Sequence, residues 1–176
     1  MKKTLFALAA ILGAANMADA KTLVAYYSRS GNTAELARLI QSATDADIFE
    51  IKTADENYYP VEYTAMTEFA KKEIADGTLP SINASPDLSQ YDTIFVGTPI
   101  WWGTMATPVR AFLTNNSMSG KTVAPFATHG GGGSGTSFAD IEKLANGATI
   151  KQGYAVYGAT ATADDVSKWL ADAGLK

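Results

Sequence analysis

Short apolar runs alternate along this chain with longer stretches in which apolar residues recur every third or fourth position. Residues 22–26, TLVAY, have strand length, and 32–43 then place Leu36, Leu39, Ile40 and Ala43 on one helical face. A second strand is predicted at 47–51. After a tyrosine-rich polar stretch, 63–76 carry Met66, Phe69, Ala70 and Ile74 as a single helical stripe that Gly77 stops. The third strand is 93–97, followed by a loop, TPIWWGTMAT, and a helix through VRAFLTNN with Pro108 near its first turn, where proline is favoured. A fourth strand at 122–127 is interrupted by Pro125 and leads through THGGGGSG to a helix at 137–144. A strand around 153–157 and a helix at 163–175, with Val166, Trp169 and Leu170 facing inward, complete the pattern.

Strands that alternate with helices and are apolar throughout belong to a parallel sheet covered on both faces. The right-handed crossover rule leaves few topologies for five such units. The expected fold is α/β, a doubly wound three-layer sandwich with a five-stranded parallel sheet of order 2-1-3-4-5. Ligands of these sheets sit beyond the carboxyl ends of the strands, where the winding reverses between strands 1 and 3. Function is therefore expected in three loops, at 28–33, 98–104 and 128–135.

The first twenty residues depart from this rhythm. Lys2 and Lys3 precede an apolar stretch from Leu5 to about Ala15, and Ala18-Asp19-Ala20 supplies small residues around a cut. The stretch is shorter than the roughly 20 residues of a membrane span. It predicts a secretory signal peptide at 1–20, cleaved after Ala20, and one domain at 21–176, exported to a periplasm or to the medium with no stable membrane anchor; without a working signal the protein stays cytoplasmic. Loss of Lys2, Lys3 and Asp19 turns 14 basic and 18 acidic residues into 12 and 17. This acidic balance argues against nucleic acid as a partner. With no cysteine, disulfides, thiolate nucleophiles and cysteine-ligated metals are all excluded, and an oxidising compartment is tolerated.

Candidate chemistry begins with YYSRSGNT. Ser28, Ser30, Asn32 and Thr33 surround Gly31 where a helix begins and its first N–H groups lack intrahelical partners, so the turn suits a phosphate monoester. Arg29 can add charge or point to solvent. SGKT at 119–122 lacks the first glycine of a Walker loop and leads into a strand. GGGGSG at 130–135 formally matches G-x-G-x-x-G, but no acidic residue follows the next strand to hold a ribose. This glycine run either lets backbone lie against a flat ligand or makes a flexible loop. Trp101 and Trp102 follow a buried strand, where exposed indoles call for a cover. A phosphate cradle beside an aromatic loop describes a site for a mononucleotide with a large planar ring, the form of flavin mononucleotide (FMN).

His129 is the only histidine and has neither a cysteine nor a second histidine to complete a metal site. Ser134 and Ser137 lack the G-x-S-x-G setting of a hydrolase nucleophile. The third strand ends in GTP where a phosphoacceptor aspartate would stand in a receiver domain. Tyr58 and Tyr59 edge the site or pack beneath it.

LVAYYSRSGNT, VGTPIWWGTMATPVRAFL and ATHGGGGSG, in this order, resemble the flavodoxins, in particular a short-chain family with the PIWWG pattern. The resemblance spans the chain from Lys21 onward and implies FMN as cofactor and low-potential one-electron transfer between redox proteins as activity. It assigns the phosphate to Ser28, Ser30, Gly31, Asn32 and Thr33. The ring falls to Thr98, Pro99, Ile100, Trp101, Trp102 and Gly103, and to Thr128, His129, Gly130, Gly131, Ser134 and Gly135. Trp102 is favoured over Trp101 for stacking, and Gly103 for a backbone reorientation toward the ring. No side chain need be catalytic, because the flavin carries the electrons. Apolar walls and net acidity disfavour added negative charge on the ring, which implies a lowered potential. A carrier is expected to be monomeric; an FMN-dependent NAD(P)H or quinone oxidoreductase on the same fold is the alternative. The export signal and the long glycine run depart from the family pattern.

Overall fold

Alternation within the central strands explains why their sequences are apolar throughout. The computed structural model describes residues 21–175, so the expected signal segment at 1–20 lies outside the described residues. Strand β1 (Lys21–Tyr26) sends Leu23 and Ala25 to one core and Val24 and Tyr26 to another, and β3 (Tyr91–Trp101) likewise divides Ile94 and Val96 from Phe95. Two cores on opposite faces of one sheet leave the central strands no polar side. On one face pack α1 (Asn32–Thr44) and α5 (Ala163–Asp172), through Leu36, Ile40, Val166, Trp169 and Leu170. On the other, α3 (Thr107–Asn115) and α4 (Ser137–Leu144) contribute Val109, Phe112 and Ile141. Helix α2 (Tyr63–Asp76) lies against α3 and β3.

The remaining strands are β2 (Asp47–Glu50), β4 (Thr104–Met105), β5 (Thr122–His129), β6 (Thr149–Ile150) and β7 (Tyr154–Tyr157). The sheet runs β2-β1-β3-β5-β6, with β7 also on β5, and every pairing except β3–β4 is parallel. This is the expected 2-1-3-4-5 order with its last strand in two pieces. The physical cause of the split lies in Pro125. The carbonyl of Val123 accepts from Lys151 N–H at 2.9 Å, so residue 125, two further along the strand, faces the same neighbour without a donor. The ladder pauses there and resumes at Phe126↔Tyr154. β5 itself continues unbroken to His129, contrary to the predicted interruption.

Residues 98–104, expected to be a loop, are strand and turn instead. β3 extends through Trp101, and Trp102 (φ 49°) and Gly103 (φ 81°) form a two-residue hairpin into β4. Positive φ at both central positions is what a primed hairpin turn demands. The usual asparagine or aspartate is replaced here by tryptophan, so no turn signal marks it. The last helix also stops at Asp172, three residues short of its expected end.

Candidate functional site

Helix α2 is capped by Glu62, whose carboxylate accepts from Thr64 and Ala65 N–H, and α5 by a reciprocal Thr162–Asp165 box. Helix α1 has no side-chain cap. Its N-cap is Gly31 at φ 93°, and the first helical bond runs from Glu35 N–H to Gly31 carbonyl at 3.0 Å. The amides of the first turn are therefore left for an acceptor from outside the helix. Ser28 Oγ accepts from Gly31 N–H at 3.1 Å and keeps its own hydrogen to donate.

Thr33 and Thr128 share one hydrogen bond of 2.8 Å between their hydroxyls, with the side chains 1% and 4% exposed. Two hydroxyls that share one bond leave one hydrogen unspent, and no other partner is present among the described residues. The pair ties the first loop to the third and keeps one hydroxyl hydrogen free to donate. Arg29 is held toward the start of α2: its guanidinium donates to Val61 carbonyl at 3.1 Å and lies 6.0 Å from the Tyr63 ring centroid.

The two indoles of the hairpin part company. Trp101 is half-buried and stands edge-on to Tyr27 (5.5 Å, 85°) and Tyr59 (5.2 Å, 81°). Trp102 is exposed and reaches over α2, donating its indole N–H to Thr67 carbonyl at 2.8 Å beneath the Lys71 ammonium, 4.6 Å from its centroid. The stem is set by Thr98, fully buried, whose hydroxyl accepts from Ala106 N–H at 2.9 Å.

The glycine run of the third loop is a docking element. An ideal Cβ on Gly135 (φ 54°) would lie 2.0 Å from Gly103 carbonyl oxygen, so this residue is where the third loop presses on the hairpin. Gly103 carbonyl accepts from Thr136 N–H at 2.7 Å, which anchors the backbone expected to reorient. Asp140 completes the clasp by accepting from Thr104 at 2.7 Å and Thr136 at 2.6 Å. Burial opposes ionisation of Asp140, but these hydroxyls and the Lys143 ammonium outweigh it and hold its pKa below the usual aspartate value. His129 Nδ1 accepts from Gly131 N–H at 3.1 Å, and Ser134 carbonyl starts α4 by accepting from Ser137.

All three loops meet around a cavity of about 660 Å³. Arg29, Ser30, Asn32, Pro99, Ile100, Trp101, Trp102 and Gly130, all among the expected site residues, line it. Ser28, Gly31, Thr33, Thr98, Gly103, Thr128, His129, Gly131, Ser134 and Gly135 do not line it, though several of them shape the loops. The far wall is Tyr63, Met66, Thr67 and Ala70 of α2, which sequence reasoning did not include. The helical stripe that includes Met66 and Ala70 signals burial without saying what covers them. Behind Trp101, Glu73 accepts from Tyr58 (2.6 Å) and Thr107 (2.8 Å), and the Tyr59 hydroxyl lies 3.0 Å from Glu73 and 2.8 Å from Thr107, so Tyr58 and Tyr59 pack beneath the site. Burial, then the hydrogen bond to Glu73, raises the Tyr58 phenol to about 12, and burial does the same for Tyr27. A second cavity of about 590 Å³ lies among Thr22, Thr93 and Thr122, at the amino ends of the strands, where none of the three loops reaches.

The donor set and the walls fit FMN: bare amides and spare hydroxyls at one rim, and an apolar, indole-bearing floor of sufficient volume beside them. A family model described as flavodoxin matches residues 21–173. A solved protein from Bacteroides eggerthii is 28% identical, with a TM-score of 0.78 over 90% of this chain and all of its own. A flavoprotein from Lactobacillus acidophilus NCFM, solved in complex with FMN, is 29% identical over 85% of this chain and 98% of its own, with a TM-score of 0.67. Flavodoxin 2 from Bacillus cereus, at 24% identity and a TM-score of 0.54 over 89% of this chain and 97% of its own, shares the fold.

Proposed function

This chain belongs to the flavodoxin family, and from that membership we propose that its three-loop cavity binds FMN and that the protein carries single electrons between redox proteins. The observation that carries the reading is the uncapped tip of α1 opening on the same cavity as Trp101. The first-turn amides, Ser28, Ser30 and the Thr33–Thr128 pair would hold the phosphate. Ile100 and Trp101 would support the ring, while Trp102, tied to α2 and largely exposed, would close its outer edge. Bound FMN supplies the electron-accepting chemistry, and the chain contributes position, exclusion of water and electrostatics. The sequence pattern of residues 1–20 supports export, which N-terminal sequencing of the protein from the periplasm or medium tests.

Titration of the purified protein with FMN and with riboflavin, followed by flavin fluorescence and calorimetry, tests the site. The expected result is quenched, saturable FMN binding and riboflavin binding weaker by about tenfold or more, since charge-assisted hydrogen bonds to the phosphate are among the stronger kind. In Thr33→Val the gap between the two ligands narrows. Equal affinities for both ligands, or no heat with either, would overturn the reading. Sustained turnover of NADPH with a quinone would replace the carrier role with an oxidoreductase.

A further inference from the structure

Glu73 is the one buried acidic side chain among the described residues, 4% exposed, and none of their ammonium or guanidinium groups pairs with it. Its oxygens instead receive hydroxyls of Tyr58 and Thr107, and that of Tyr59 donates either to it or to Thr107. Donors converging on both oxygens suit an ionised carboxylate, which only accepts. A buried charge without a counter-ion is costly, and an apolar residue of similar size would avoid the cost.

Its position gives the charge a use. Met66, Ala70 and Glu73 follow one another at helical spacing on α2, and the first two line the cavity. The Tyr59 ring that reaches Glu73 with its hydroxyl stands 5.2 Å from Trp101, a wall of the cavity. The carboxylate thus sits one aromatic ring behind the wall, shielded from solvent and from mobile ions. Lys71 and Arg29 carry opposite charge nearer the rim, but both are exposed and screened by salt.

We propose that Glu73 is a fixed negative charge that sets the redox poise of this site, weakening the hold on reduced relative to oxidised FMN. The inference rests on the FMN reading and names a tuning residue for it. At an effective dielectric of about 20, one unit charge acting on another over roughly 10 Å changes a binding preference by roughly tenfold.

Glu73→Gln removes the charge, keeps the shape and can still hydrogen-bond; Glu73→Met, apolar and of similar length, is the alternative if Gln does not fold. The measurement is the affinity for oxidised and for dithionite-reduced FMN, at low salt and at high salt. Either variant raises the reduced-to-oxidised affinity ratio about tenfold, equal to about 30 mV in the two-electron midpoint potential, and the shift persists at high salt. Tyr59→Phe keeps the charge and moves the ratio less than about threefold. An unchanged ratio in a folded Glu73 variant that binds both forms would refute the role of Glu73 and leave FMN binding standing. An equal shift in Tyr59→Phe would assign the effect to packing and also refute it. Failure of the parent protein to bind either form would remove both.

Discussion

Alanine at Gly135 would drive a methyl group into the hairpin that carries Trp101 and Trp102. The added Cβ meets Gly103 carbonyl oxygen at 2.0 Å and that carbonyl carbon at 2.7 Å, both backbone atoms with no rotamer to yield. Relief to an ordinary contact needs a separation of roughly 1 Å or more, which stretches the 2.7 Å bond from Thr136 N–H beyond hydrogen-bonding range. That loss costs about 1–2 kcal/mol. Holding alanine at φ 54° costs about 1–2 kcal/mol more. The sum, about 2–4 kcal/mol, corresponds in a domain of this size to a fall in Tm of about 5–15 °C. Gly132→Ala is the internal control, because Gly132 has no heavy atom within 4 Å of its would-be Cβ and no positive φ. It should stay within about 0.5 kcal/mol of the parent. Thermal unfolding followed by circular dichroism compares the three proteins, and FMN titration at 25 °C should show Gly135→Ala alone weakened. If the two variants melt together, the third loop is only a flexible glycine tether and the docking argument fails.

Trp101→Ala removes the half-buried indole and its edge contacts with Tyr27 and Tyr59. It should lower stability by about 2–3 kcal/mol in urea unfolding and weaken FMN binding, with Trp101→Phe intermediate in both. Alkaline titration tests the tyrosine cluster: Tyr27 and Tyr58 are raised to about 12, so the folded state holds their protons more tightly than the unfolded state does. Their contribution is complete below pH 10 and is lost as pH rises toward 12. Urea midpoints that stay level across this interval, or phenolate absorbance complete by pH 11, would contradict the assigned burial.

Apolar runs at 22–26 and 93–97, too short for helices and lacking alternation, were sufficient to predict buried parallel strands, and the stripe at 63–76 located α2 to the residue. The reversal point of the winding and the three loops around it follow from this order of elements, because crossover handedness leaves the chain little choice. Eight of the eighteen expected site residues line the cavity. Their local signal was chemical: small hydroxyls and a glycine at a helix start, and two indoles after a strand. Tertiary structure alone decided which tryptophan turns inward, since adjacent residues of a hairpin differ only in what lies opposite them: Tyr27 and Tyr59 for Trp101, α2 for Trp102. It also decided that Gly135 is a contact, that the hydroxyls of Thr33 and Thr128 meet across 95 positions, and that Glu73 is buried. Local propensity registers the shape each segment prefers, whereas partners distant in the chain are brought together only by packing both faces of the sheet.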